Sequence, residues 1–238
     1  MKRLSSLYLL TFLVAFCSIL YELLLGQALS AFMGDTVLRF SVTIGLYLFA
    51  MGIGALLAGE RFKSRVVLAL LILELLLATT GGGCIVLLHL FNAAGMPSLI
   101  FSTLAHSLIV IIGLLTGAEL PLLIQLQKLG AEKYRTRPDE KKIIGINYIG
   151  ALVGTLSFAF FVYPSIGIFA GALFIGLVNA LAGLLLYQAQ ALLREEDKSK
   201  FRLAYRIQGA VAALLLIALY NAPALSEHFL SLYLSAGS

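Results

Sequence analysis

The sequence predicts an all-α membrane protein: a bundle of about seven transmembrane helices, with the N-terminus cytoplasmic and the C-terminus outside. Three observations predict it. Of the 238 residues, 61% are hydrophobic and only 12% are charged, and the mean hydropathy is +0.99. A soluble domain carries about 45–50% apolar and about 25% charged residues. The apolar residues gather in seven long runs, and Lys and Arg collect between alternate runs. This composition excludes a soluble globular domain, a disordered chain and a disulfide scaffold. Lipid offers the backbone no hydrogen-bond partner, so each run must be helical. A crossing takes about 20 residues, which leaves no room for a soluble catalytic domain of about 100 residues or more.

The runs are 7–32, 40–59, 66–91, 98–126, 143–163, 165–187 and 201–221. They make one transmembrane domain over 1–221, followed by a short outer tail, 222–238. The first run exceeds the core of a signal peptide, about 7–15 residues, and holds Tyr21 and Glu22, so it reads as a span rather than a cleaved leader. Pro164 breaks a helix and biases the residue before it away from helical geometry, so it separates the fifth span from the sixth. Cys17 and Cys84 both lie in apolar runs and imply no disulfide. In the tail, Leu225, Phe229, Leu232 and Tyr233 fall at mixed helical spacing, which suits the outer interface.

Orientation follows from the positive residues. Lys2 and Arg3 precede the first span; Arg61, Lys63 and Arg65 join the second and third. Lys128, Lys133, Arg135, Arg137, Lys141 and Lys142 join the fourth and fifth. Arg194, Lys198, Lys200, Arg202 and Arg206 precede or open the seventh. Arg39 alone falls on the other side, and the positive-inside rule assigns the basic side to the cytoplasm. The larger loops, 127–142 and 188–200, lie on that side and carry both signs of charge. They are either docking surfaces for a protein partner or simply solvated segments that hold the topology.

Small residues four apart let membrane helices approach closely. Gly113/Gly117, Gly150/Gly154 and Gly167/Gly171 are such pairs, and Gly45, Gly52 and Gly59 form a stripe on the second span. Gly81-Gly82-Gly83 lies in the middle of the third span. Glycine weakens a helix by about 1 kcal/mol relative to alanine, so the run implies either a kink or unwound turn facing protein, or close packing without a break.

Three carboxylates lie within the spans, Glu22, Glu74 and Glu119, with no Lys or Arg at comparable depth. Charges at membrane depth are costly and mark sites. At about 1.5 Å per residue, Glu22 lies about 22 Å from the cytoplasmic start of its span, Glu74 about 12 Å in and Glu119 about 10 Å in. Glu74, Glu119 and Asn147 are therefore expected to line a pocket open to the cytoplasm, with Tyr21, Glu22 and Gln27 deeper and Tyr148 and Asn179 nearby. Carboxylates without cationic partners either bind a cation or take up protons; neutral carboxyls bonded to backbone are the structural alternative. His106 has no His or Cys at ligand spacing, so no metal site is expected. No phosphate-binding glycine loop, CxxC or nucleophile elbow appears. No cofactor, catalytic residue or nucleic-acid partner is expected.

Several segments resemble one family in order along the chain. They are Tyr21-Glu22-Leu23-Leu24-Leu25-Gly26, Phe32-Met33-Gly34-Asp35-Thr36-Val37, the glycine-rich stretch from Thr43 to Gly54, Glu74, Leu115-Thr116-Gly117-Ala118-Glu119-Leu120-Pro121-Leu122-Leu123 and Asn147-Tyr148-Ile149-Gly150-Ala151-Leu152. The set resembles the N-terminal integral-membrane region of membrane-bound bacterial spermidine synthases, the polyamine aminopropyltransferases. Family members usually carry Asp where this chain has Asn147. The family's aminopropyltransferase domain, a Rossmann-like fold for S-adenosyl ligands, has no counterpart after Asn221, and the run Ser235-Ala236-Gly237-Ser238 reads as a natural end.

The resemblance implies a multi-pass module of the bacterial inner membrane, related to polyamine metabolism and not catalytic on its own. Its expected role is to bind or move a small organic cation, a polyamine above all. Glu22, Glu119 and Glu74 would neutralise the amines; Tyr21, Gln27, Asn147 and Tyr148 would supply hydrogen bonds. Two alternatives stay open: a scaffold subunit that docks cytoplasmic or membrane proteins through its basic loops, and an ion or proton pathway.

Overall fold

The computed structural model describes residues 2–58, 62 and 65–227, with side chains described from residue 6 onward. The described residues contain no strand. Seven α-helices follow one another among them: α1 (Lys2–Met33), α2 (Thr36–Leu57), α3 (Val66–Ala93), α4 (Ser98–Tyr134), α5 (Glu140–Ser157), α6 (Tyr163–Leu184) and α7 (Lys198–Tyr220). They provide six helical runs long and apolar enough to cross a membrane, because α5 and α6 belong to one 53-residue run, Glu140–Leu192. Phe229, Leu232, Tyr233 and 235–238, together with Gly59 of the second-span stripe, Arg61 and Lys63, lie outside the described residues.

The break between α5 and α6 is displaced from its expected position. Pro164 sits in the first turn of α6, directly after a π turn, Phe158–Val162, so the helix widens just where the proline ring and its missing N–H would disturb it. The backbone leaves helical geometry at Gly167 instead, at φ 70° and ψ −174°. That region of backbone space is essentially open to glycine alone. Gly167 therefore acts as a hinge and not as half of a packing pair; a Cβ there would meet nothing within 4 Å.

The other glycine pairs do bring backbones together. A Cβ at Gly117 would lie 2.1 Å from the Met51 carbonyl, and one at Gly54 would lie 2.1 Å from the Leu114 carbonyl, so α4 and α2 pack directly. Gly150 and Gly154 place α5 against Phe12 and Phe16 of α1 in the same way. The stripe Gly45/Gly52 packs against nothing; the buried face of α2 is Thr43, Tyr47, Ala50 and Gly54. The Gly81–Gly83 run stays helical. Gly81 receives the ring of Tyr21, and Gly82 meets Gly176 of α6 backbone to backbone. Close packing, not a kink, explains these glycines.

The result is two tight pairs, α1 with α5 and α2 with α4, beside a group of α3, α6 and α7; α4 and α5 meet only sparsely. The connections after α2, α4 and α6 gather at one end. Arg65 reaches Asp197 (3.4 Å) and Glu196 (3.6 Å), Lys133 donates to the Ala191 carbonyl, and Lys142 lies 4.2 Å from the centre of the Tyr8 ring. The loop expected over 127–142 is mostly helix, because α4 runs on to Tyr134 and α5 begins at Glu140. The expected loop 188–200 likewise contains short 3-10 turns, Leu185–Leu192 and Glu195–Asp197. At the opposite end, Phe32, His89, Phe101 and Phe169 stack edge to face or tilted.

Candidate cation-binding cavity

The sparse contact between α4 and α5 leaves a cavity of about 1120 Å³ between the two tight pairs. Helical periodicity lines it. Ala15, Ser18, Ile19 and Glu22 share one face of α1, and Leu48, Met51, Gly52 and Ala55 share one face of α2, each set spaced i, i+3, i+4, i+7. From α4 come Thr116, Glu119, Pro121 and Gln125; from α5 come Asn147, Tyr148 and Ala151.

Three carboxylates line this space: Glu22 and Glu119 at depth, and Glu132 beside Lys128 toward the basic end. Glu119 is 3% exposed and Glu22 is 8% exposed. Oε1 of Glu119 has no hydrogen-bond partner. The Thr116 hydroxyl donates to its own helix, at Ile112 (3.0 Å) and Gly113 (3.1 Å), so it offers the carboxylates no proton. Pro121 contributes further acceptor character: lacking an N–H, it leaves the carbonyl of Gly117 without its helical donor, and both residues line the cavity. The deep wall is fixed by Tyr47, whose hydroxyl donates to the Ser18 carbonyl at 2.9 Å.

The cationic residue lining the cavity is Lys128, nine residues from Glu119 and so about 14 Å along the helix. Its ammonium is held by Glu140 of α5 at 3.0 Å, at the cavity's basic-end mouth. The cavity is thus rich in oxygen acceptors at its deep end and mixed in charge at its opening.

The structure gathers four of the seven residues expected at one site: Glu22, Glu119, Asn147 and Tyr148. It places the other three elsewhere. Tyr21 is fully buried and donates to the Leu77 carbonyl of α3 at 3.2 Å. Gln27 donates to the Tyr163 hydroxyl at 2.9 Å, toward the opposite end. Glu74 lies between α3 and α6, where Asn179 donates to its Oε2 at 2.9 Å. Glu74 nevertheless remains close enough to Glu119 for the two to interact electrostatically. His106 bonds its own helix, at the Ser102 carbonyl (2.6 Å). Sequence reasoning passed over Thr116 and Gln125, polar residues in an apolar span, and Gln208 of α7, which is fully buried against α6. An isolated amide in span 201–221 was the available signal.

Fold and cavity together define a class: among the described residues, an all-helical protein with six helical runs long and apolar enough to cross a membrane and an acidic cavity open on one side. Comparison with known proteins narrows this. The chain is 38% identical over 185 residues to polyamine aminopropyltransferase 1 of Streptomyces coelicolor, a match covering 75% of this chain and 33% of that protein. It is 33% identical over 210 residues to polyamine aminopropyltransferase 2 of Ralstonia nicotianae (88% and 40%). It is 31% identical over 206 residues to the polyamine aminopropyltransferase of Oceanobacillus iheyensis (87% and 38%). The chain therefore has homologues named for polyamine metabolism, and its match spans about a third to two fifths of their length. No protein-family model matches the sequence, and no solved structure matches it.

Proposed function

We propose that this chain is a multi-pass module of a bacterial cytoplasmic membrane, related to polyamine metabolism, that binds or moves a small organic cation through the cavity between α1, α2, α4 and α5. The observation that carries the proposal is the pairing of Glu22 and Glu119 in one cavity, without a Lys or Arg at their depth. A buried carboxylate with no compensating charge is expensive, and an ammonium group compensates it while donating hydrogen bonds. The apolar remainder of the lining suits the methylene chain between amines. The similarity to polyamine aminopropyltransferases supports polyamines as the cation.

The module faces its basic end to the cytoplasm by the positive-inside rule, so the cavity mouth at Lys128 opens inward. Catalysis is not assigned to this chain: the cavity holds no nucleophile paired with a base and no phosphate-binding loop. Binding of radioactive spermidine to the purified protein tests the proposal. Glu22→Gln and Glu119→Gln should each abolish binding while the protein still folds; retained affinity in both variants contradicts it.

A second role is favoured by a separate observation, the convergence of three charged connections at one end. Such a surface suits a scaffold that docks a cytoplasmic or membrane protein. Charge reversal at Lys133, Arg137 and Lys141 should then release a co-purifying partner and leave spermidine binding intact; an unchanged partner set contradicts docking there.

A further inference from the structure

The polar groups buried between α3, α6 and α7 all lack the same thing. Glu74, Asn179 and Gln208 are each fully buried. Asn179 Nδ2 donates to Glu74 Oε2 at 2.9 Å and to the Glu74 carbonyl at 3.1 Å. Gln208 Nε2 donates to the Ala180 carbonyl at 3.0 Å. The amide nitrogens are thus occupied by protein acceptors, while Glu74 Oε1, Asn179 Oδ1 and Gln208 Oε1 have no partner. Turning either amide over does not help. Asn179 would then aim its oxygen at the oxygens of Glu74, and Gln208 would aim its oxygen at the Ala180 carbonyl.

The three side chains occupy one neighbourhood. Gly183 lies one turn beyond Asn179 on α6, and a Cβ there would sit 2.4 Å from Gln208 Nε2 and 3.0 Å from Glu74 Cβ. The absence of that Cβ is what lets α7 and α3 bring their polar groups together. What this centre needs is positive charge, since its acceptors already outnumber its donors.

We propose that Glu74, Asn179 and Gln208 form a buried binding site for a single monovalent cation of sodium size. Oxygen ligands from one carboxylate and two amides suit a hard alkali cation. One carboxylate balances one positive charge; a divalent ion would leave net positive charge buried. A proton on Glu74 Oε1 would neutralise the charge and turn that atom into a donor, but one donor serves only one of the two amide oxygens left over. A water molecule would supply donors and leave the charge uncompensated. Glu119, Cys17 and Tyr21 are the other titratable groups close to Glu74. The site is distinct from the cavity, which Glu74 does not line.

The test uses the full chain in nanodiscs, melted in N-methyl-D-glucamine chloride that is replaced stepwise by NaCl, LiCl or KCl at constant ionic strength. Binding of radioactive sodium is measured by equilibrium dialysis on the same material and needs no variant. The site predicts a saturable rise in Tm with sodium, stoichiometric sodium binding, and loss of both in Glu74→Gln but not in Glu119→Gln. Absence of saturable sodium binding by the unaltered chain overturns the proposal, and so does full binding in Glu74→Gln. A melt that responds to acid and not to sodium assigns the role to a proton on Glu74 and overturns it equally. Spermidine binding is read separately through Glu119→Gln, so either proposal can fail alone.

Discussion

Asn179 of α6 grips Glu74 of α3 twice, once at the carboxylate and once at the backbone carbonyl. The side chain that holds one oxygen of the buried acid therefore also ties α3 to α6, one turn along α6 from where Gly82 meets Gly176. Replacing Asn179 by Leu leaves the Glu74 carboxylate buried without its donor, while the Glu74 carbonyl keeps its bond within α3. The expected cost is about 1–3 kcal/mol, seen as a lower Tm in nanodiscs; Glu74→Gln combined with Asn179→Leu should lose less than the sum of the single changes, since the two residues share one interaction.

Gly117 and Gly45 both belong to glycine patterns in the sequence, but only Gly117 touches another helix. Gly117→Ala forces α4 away from the Met51 carbonyl and should destabilise by about 1–3 kcal/mol, as overpacking does. Gly45→Ala adds a methyl to open space and should change stability by less than about 0.5 kcal/mol. Thermal melts of the two variants side by side check the contrast.

The hinge makes an analogous distinction. Gly167→Ala places a side chain at positive φ, a strain of about 1–3 kcal/mol. Pro164→Ala leaves the first turn of α6 without a special demand and should be nearly neutral. If Pro164→Ala were the more damaging change, the helix break would have to lie at the proline.

Asp197 is 1% exposed, and neither of its oxygens accepts a hydrogen bond, so Arg65 is its counter-charge. Arg65→Ala should cost about 1–3 kcal/mol by leaving a buried carboxylate alone. Asp197→Asn should recover part of that loss in the double variant. Equal melts for Arg65→Ala and the unaltered chain would show that the pair contributes nothing.

Much of this architecture was legible before any coordinates. Apolar runs locate the helices because lipid enforces helical hydrogen bonding, and Gly113/Gly117 and Gly150/Gly154 name two contacts correctly. Pairing was less legible. Periodicity shows which face of a helix is special, but not which neighbour covers it, so the stripe Gly45/Gly52 stood out in the sequence while the packed Gly54 did not. The polar extension of α4 to Tyr134 was missed because hydropathy stops at the membrane boundary while helical hydrogen bonding continues past it. At the site, Glu22, Glu119, Asn147 and Tyr148 were recognisable as polar residues at depth. Glu74 looked the same in sequence, and only its packing against Asn179 and Gly183 separates it from the cavity.

An organic cation held on Glu22 and Glu119, in the cavity between α1, α2, α4 and α5, would stabilise the folded chain. A thermal-shift titration in nanodiscs with putrescine, spermidine and spermine, with Mg²⁺ as the ionic control, tests it most directly. A ligand at 100 times its Kd stabilises by about 2.7 kcal/mol, well within reach of a melt. The expected result is a rise in Tm that is specific to polyamines and vanishes in Glu119→Gln. No rise with any polyamine, or the same rise in Glu119→Gln, would contradict it.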